Sequence, residues 1–481
     1  MLFIILLIVL LCSYMIYNLL NFKSKRPTIK NDCSLKTDYH RTAIKLSKII
    51  QCKTISSKHT DTFNWNEFEK LKDTLKENFP LVHKHLKYER INIHSLLYKW
   101  SGSADKKKRP ILFLSHMDVV PIDEATLDEW IYPPFSGIIE DGFVWGRGAI
   151  DMKVQLTCIL ETIESLLEEG FVPNRDIYIA LGHDEEVGGY NGAREIAKYL
   201  LSKGIFFDLI LDEGGCISTE QLKNVSRPVA AVGTCEKGFC TIKLSCHSNG
   251  GHASMPPKHT SLGVLCKAIA KLEAHQMPLK LSKPVKEMLE YIGPEMDIVN
   301  RFLLSNIKIF RTIALRRLIK TSLGNSLLRT TTAATMAEAS KQDNVLPSEA
   351  SITLNFRILP GETYETLLNH VKKILKNNPH IEITVLRADN PSPISPSHCE
   401  AFKKIENAIY NVYPEVIVTP YLFVMGTDSR RYSKICENIY RFSPYMLSNE
   451  DLSGMHGINE RVSLENIQRM LKFYKCLMKG I

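Results

Sequence analysis

Twelve cysteines are spread through 481 residues with no CxxC pair and no dense cluster, so no disulfide framework organises this chain. Several, such as Cys158, Cys240 and Cys266, fall inside apolar periodic segments, where buried free thiols are expected. No internal repeat and no low-complexity tract is present. Positive charge is also undirected: the formal net charge of +9 comes from scattered Lys and Arg. The one short run, Lys106-Lys107-Lys108, precedes a strand and reads as a solvated turn, so a nucleic-acid partner is not expected. The N-terminus lacks the basic stretch and small-residue cleavage site of a removable signal peptide.

What the N-terminus does have is an almost wholly apolar run from Leu2 to Leu20, close to the ~20 residues that span a bilayer as a helix. Residues 1–22 are therefore expected to form an uncleaved membrane anchor. Lys23, Lys25 and Arg26 on its far flank would keep the body cytosolic by the positive-inside rule, whereas the sequon Asn224-Val225-Ser226 points to the other side.

With 44% hydrophobic residues and this length, the chain suits two folded units. Apolar residues recur at helical spacing over Asp38–Gln51 and Trp65–Phe79. Strands then alternate with helices: Ile111–Leu114, a helix over Val154–Leu167, Asp176–Leu181, a helix over Gly192–Leu201, and Phe207–Leu211. This predicts an α/β fold, a mixed sheet flanked by helices. Polar clusters at Ser115, Gly182 and Asp212 fall at the C-terminal ends of these strands, the edge where open α/β sheets build their sites.

After about Arg227 half-exposed alternating segments (241–246, 331–339, 351–357) and helices over 261–274 and 364–375 suggest an inserted α+β unit. The expected division is a catalytic domain over 38–234 and 391–481, interrupted by a lid or dimerisation domain over 235–390. Residues 279–328 are expected to be a helical insertion within that second unit.

The polar clusters carry chemistry. His116 and Asp118 form an HxD step at a strand end, with His116 a candidate metal ligand and Asp118 the carboxylate that orients its ring. Asp151 opens the next helix, where an acid would also be stabilised by the helix dipole without any metal. Glu185 and Glu186 follow the strand ending at Leu181 and precede Gly188-Gly189; Asp212 and Glu213 form another pair; His456 sits in a Gly-flanked loop. Imidazole and carboxylate ligands in this mixture suit zinc.

In order, Ser115-His116-Met117-Asp118-Val119-Val120-Pro121, Gly146-Arg147-Gly148-Ala149-Ile150-Asp151, Gly182-His183-Asp184-Glu185-Glu186, Leu211-Asp212-Glu213-Gly214-Gly215, Gly251-His252 and Met455-His456-Gly457 resemble the co-catalytic zinc metallopeptidases of the aminoacylase and carboxypeptidase S group. The likeness is strongest to the carboxypeptidase S and N-fatty-acyl-amino-acid synthase/hydrolase branch. It implies two zinc ions bridged by Asp151, one completed by His116 and Asp212, the other by Glu186 and His456. The family pattern leaves open whether Asp212 or Glu213 reaches the metal, and Asp212 is chosen. Met152 departs from the commoner double-acid form.

The resemblance further implies that Glu185 is the general base, that His252 of the inserted domain stabilises the oxyanion, often across a homodimer interface, and that the body is lumenal or extracellular. On residues alone His252 reads as an ordinary loop histidine. Arg357, at the end of an alternating strand, can grip a substrate carboxylate or form a surface salt bridge. Asn344 and the loop Gly426-Thr427-Asp428-Ser429-Arg430 match other substrate-facing segments. His183, His247 and His259 are read as structural. The expected activity is hydrolysis of an amide next to a free carboxylate, in a peptide or an N-acyl amino acid, with reverse condensation open to the same site. The alternatives are a dipeptidase or deacylase of the same family, and a non-catalytic relative, which would be expected to lack Glu185 or a ligand.

Overall fold

The computed structural model describes residues 1–27, 37–57, 62–103, 108–220 and 225–481, so Cys33, Lys106, Lys107 and the sequon's Asn224 lie outside the described residues. Two main sheets are built from β1 (Lys87–Ile91), β2 (Ser95–Trp100), β3 (Ile111–His116), β4 (Ile177–Gly182), β5 (Leu209–Ser218), β6 (Val229–Glu236), β7 (Gly238–His247), β8 (Thr331–Glu338), β9 (Glu349–Ile358), β10 (Ile381–Asp389), β11 (Ile417–Phe423) and β12 (Ile439–Leu447). The helices used below are α1 (Leu2–Asn21), α2 (Tyr39–Ile50), α3 (Trp65–Asn78), α4 (Lys153–Glu168), α5 (Ala193–Ser202), α6 (Ser261–Ala274), α7 (Lys283–Ile292), α8 (Ile298–Ser305), α9 (Ile307–Leu318), α10 (Ser322–Leu328), α11 (Tyr364–Leu375), α12 (Glu400–Val412) and α13 (Leu464–Lys479).

The larger sheet has eight strands in the order β1-β2-β4-β3-β5-β12-β6-β11. It is mixed: β3 runs parallel to β4 and β5, β12 parallel to β5, and β11 parallel to β6, while β1, β2 and the β12–β6 contact are antiparallel. Successive strand side chains point to opposite faces, so Ile111 and Phe113 enter one core and Leu112 and Leu114 the other. The first core is covered by α2, α3, α4, α12 and α13, the second chiefly by α5. Buried on nearly every side, α4 must satisfy its polar groups internally. Gln155 Nε2 donates to the Leu114 carbonyl at 3.1 Å, and Lys153 Nζ to that of Cys52 at 2.5 Å.

A second, antiparallel sheet in the order β8-β9-β7-β10 packs one face against α6 and α11 around a small separate core that includes Ile242, Leu354, Leu265 and Val371. The helical stretch expected inside this unit goes elsewhere. On α7, Val285, Met288, Leu289 and Ile292 fall at i, i+3, i+4 and i+7, one apolar stripe, and it packs against Val229, Ile417 and Leu422 at the β6–β11 edge of the larger sheet. An uncovered apolar sheet edge is a stronger partner than the small second core, so α7–α10 close the large sheet. Two other expectations are also corrected. β5 does not end at Asp212 but runs on to Ser218, through a break in its register with β12 near Phe442. Among the described residues ten cysteines are free thiols, but Cys476 is disulfide-bonded.

Phe113 is 1% exposed, and its ring lies 5.9 Å from that of Tyr474 on α13, across the interface that joins the N- and C-terminal parts of the large domain. Phe113→Ala is expected to cost about 3–5 kcal/mol, read as a lower midpoint in urea unfolding; an unchanged midpoint would show that this contact does not hold the two parts together.

Candidate active site

The elements converge on one edge of the large sheet. His116 is the last residue of β3. Beyond β4, a single 3-10 turn over Glu185–Val187 carries the two adjacent glutamates. Gly188 and Gly189 then reverse the chain with φ of 108° and 63°, in the left-handed region that glycine enters without strain. A Cβ at Gly189 would also collide with the Asp428 carboxylate. Asp151 precedes α4 across a cis peptide to Met152, a buried side chain. His456 has φ 59°, a conformation costing a non-glycine residue about 1–2 kcal/mol, and from it presents its ring to the cluster.

The two oxygens of Asp151 face two different imidazoles. Oδ1 lies 3.0 Å from His116 Nε2, and Oδ2 lies 3.1 Å from His456 Nε2. His456 Nε2 is 3.2 Å from Glu186 Oε2, and His116 Nε2 is 3.4 Å from Glu213 Oε1. The other nitrogen of His116, Nδ1, is 2.9 Å from the Asp118 carbonyl and 3.4 Å from its carboxylate, which leaves Nε2 to bind a cation. His116, Asp151 and Glu186 form one group able to hold a metal ion, and His116, Glu185 and Glu213 another.

Asp212 points the other way. Its carboxylate accepts from the Ser429 amide at 2.8 Å and from the Glu213 amide at 2.9 Å. Adjacent residues in a strand face opposite sides of the sheet, so only one of the pair can reach His116, and it is Glu213. Asp212, the acid chosen from the sequence, is thus not brought to His116, and Glu213 is. Asp118 does more than orient His116: its two carboxylate oxygens accept from the amides of Glu185 and Glu186, each at 3.1 Å, and so fix the turn that carries both glutamates.

Glu460 lies four residues beyond His456, outside the motif around that histidine. Its buried carboxylate accepts from the amides of Gly148, Ile150 and Asp151 at 3.0, 2.8 and 3.1 Å and pairs with Arg147 at 2.7 Å. It therefore holds the loop that presents Asp151. Nothing in the spacing distinguishes it from a surface glutamate. Glu236 plays a similar part under the 427–430 loop, accepting from Thr427, Ser429, Arg430 and Arg441; despite burial, the two arginines hold its carboxyl down to about 2.

The acids crowd one another. Burial, with Asp151 nearby, pushes Glu213 up to about 8 and Glu186 up to about 7, and burial together with Glu213 raises Glu185 well above the carboxylate range. Hydrogen bonds to Asp151 and Glu186 lift His456 to about 10. Glu186 Oε1 is buried without a hydrogen-bond partner. Such an orphaned oxygen in a buried anionic cluster fits a cation, because burying a carboxylate unpaired is expensive.

Asp151, Glu185, Glu186, Glu213 and His456 line one end of a cavity of about 830 Å³. Arg357 and Arg387 enter from β9 and β10, and Arg430 and Arg431 from the loop after β11. Arg430 and Arg431 are tied to Asp389, and Arg387 stacks on Phe239. Arg357 has no carboxylate partner among the described residues, so the surface salt bridge is not formed; burial, with Arg430 and Arg387 nearby, lowers its pKa. The rest of the wall is apolar: Val229, Met288, Leu323, Tyr421, Phe423, Leu447 and Leu452. His252 and Asn344 are not brought here. They lie together on the exposed side of the second unit, where the Ala253 amide donates to the Asn344 carbonyl at 2.9 Å. His183 is buried and held by Ser95 at 2.7 Å; burial lowers it to about 4.

Residues 112–480 match the model of peptidase family M20/M25/M40. The chain is 39% identical over 477 residues to the probable carboxypeptidase S-like 2 of Dictyostelium discoideum, spanning 97% of this chain and 91% of that one. It is 37% identical over 445 residues to the N-fatty-acyl-amino acid synthase/hydrolase PM20D1 of Mus musculus, spanning 91% and 87%. Among solved structures, the M20 family metallo-carboxypeptidase Sso-CP2 from Sulfolobus solfataricus superposes with a TM-score of 0.67 at 18% identity, over 91% of this chain and 98% of that one. Together with the cluster around Asp151, these matches show that the chain belongs to peptidase family M20/M25/M40 and is a hydrolytic enzyme.

Proposed function

We propose that the protein is a membrane-anchored, two-zinc amidohydrolase that cleaves the amide next to the free carboxylate of long-chain N-acyl amino acids. The observation that carries this reading is the mixed lining of the cavity, in which four arginines, Arg357 among them without a carboxylate partner among the described residues, share the wall with a set of apolar side chains. An amino-acid carboxylate fits the first and a fatty acyl chain the second. The named activity of the PM20D1 relatives, and the carboxypeptidase S names beside them, support the same choice.

Asp151 would bridge the two ions, with His116 and Glu213 on one and Glu186 and His456 on the other. Bound zinc supplies Lewis acidity for the carbonyl and a lower pKa for the attacking water. Glu185, in the same cavity, takes the proton of that water and delivers it to the leaving nitrogen. Its own amide is tied to Asp118, so it stays beside the ligands while its carboxylate remains available. Arg357 holds the substrate carboxylate, and the apolar wall excludes water from the acyl chain. Reverse condensation follows the same path backwards. His252 lies outside its own cavity, which supports the reading that it acts on a second copy in a homodimer.

The apolar α1 is long enough to cross a bilayer. The disulfide at Cys476 is chemistry of an oxidising compartment, which favours a lumenal or extracellular body.

Three tests follow. Glu186→Ala should lose bound zinc and activity together, whereas Glu185→Gln should keep zinc and lose about 10²–10⁴-fold in turnover; zinc analysis beside N-acyl amino acid hydrolysis reads both, and full turnover by Glu185→Gln would sink the general-base assignment. Glu460→Gln should weaken zinc binding by about 10–100-fold through the Asp151 loop, measured by chelator competition. Arg357→Met should raise KM at least about tenfold for a free-carboxylate substrate and much less for its methyl ester; equal effects on both would remove Arg357 from carboxylate binding.

A further inference from the structure

The helical layer that closes the β6–β11 edge has two sides with different tasks. On the inside, Met288 of α7 and Leu323 of α10 form part of the apolar wall of the cavity. On the outside, the layer is fastened to the end of α1. Asn18 Nδ2 donates to Asn306 Oδ1 at 3.0 Å, Asn306 Nδ2 donates to the Met15 carbonyl at 3.2 Å, and Arg301 Nη2 donates to the Phe22 carbonyl at 3.1 Å. Phe22 packs into the same cluster as Met288, Leu289 and Leu304, and Lys25 pairs with Glu290 at 3.1 Å.

These contacts fix a depth. Met15 lies six residues before Asn21, so Asn306, at the junction of α8 and α9, sits roughly 9 Å back along α1 from its end, at 1.5 Å per residue. If α1, with its 20 residues, spans the ~30 Å hydrocarbon core, that level lies about 9 Å inside the headgroup–acyl boundary, within the ~5–10 Å to which interfacial helices sink their apolar faces. What α8 and α9 expose there is suited to it. Ile298, Val299, Ile309 and Ile313 are 64%, 52%, 43% and 57% exposed. Residues 298–320 contain six basic side chains and no acidic one, and Lys308, Arg311, Arg316, Arg317 and Lys320 are exposed. Asp297 lies near Arg317, but apolar residues among this excess of cations match an anionic lipid interface, and Lys23 and Arg26 extend the charge to the foot of α1.

We propose that the outer face of α8–α9 is a membrane-interface surface that seats in the bilayer holding α1, so that the apolar end of the cavity faces the lipid and takes long acyl chains from it. This rests on the membrane-anchored N-acyl amino acid hydrolase reading, and adds how the substrate arrives.

The test uses the full-length, zinc-loaded protein in phosphatidylcholine/phosphatidylserine vesicles. Ile309→Trp should add fluorescence that brominated lipids quench, relative to the wild type with its four native tryptophans. The double variant Ile309→Glu/Ile313→Glu should remain resistant to alkaline carbonate, through α1, and should hydrolyse a soluble N-acetyl amino acid as the wild type does. Its turnover of a long-chain N-acyl amino acid carried in the vesicles should fall about tenfold. An unquenched increment, or a double variant that turns over both substrates like the wild type, overturns the proposal. Carbonate extraction of the wild type would instead sink the anchored reading, and the proposal with it. If the wild type cleaves no N-acyl amino acid even in detergent, the substrate reading and acyl entry fail together, and the quenching result alone decides the surface.

Discussion

Everything at the site depends on where the Asp151 carboxylate is held. Its two oxygens meet imidazoles that are 340 residues apart in the chain, His116 and His456, and neither approach survives unless the short loop before α4 is rigid. Glu460 supplies that rigidity by collecting three amides of the loop, those of Gly148, Ile150 and Asp151, and one guanidinium on a single buried carboxylate. Because Glu460 and His456 lie after the inserted unit, the chain must return to the first domain to complete its own site. The discontinuous architecture and the cluster are therefore one constraint, and α13 packing on α4 and β3 pins it mechanically.

Much of this was legible in the residues because it is local. Apolar runs closed by polar clusters placed β3, β4 and the turn at Glu185, and the His and acid types named the chemistry. What was not legible depends on phase or on distance. Asp212 and Glu213 are neighbours, and only the facing of β5 decides that one meets Ser429 and the other His116. Residues 279–328 read as helical from their spacing, but their docking partner, the β6–β11 edge, is formed by strands almost 190 residues apart. Arg387 and Arg431 acquire a site only because β10 and the loop after β11 converge on one cavity. His252 and Asn344 come together on the second unit and away from the cavity, a placement no local pattern encodes.

The cavity joins these parts into a function. Part of its lining is crowded with acids that burial and mutual repulsion push upward, the condition a bound cation relieves; Arg357 has no carboxylate partner among the described residues; and apolar lining is borrowed partly from the helices fastened to α1.

The central claim is that Asp151 bridges two ions, with Glu213 and not Asp212 completing the one beside His116. Anomalous X-ray scattering at the zinc edge from crystals of the zinc-loaded protein tests it most directly. The account predicts two peaks flanking Asp151, one contacted by His116 and Glu213 and the other by Glu186 and His456. A single peak, or one ligated by Asp212, would contradict it.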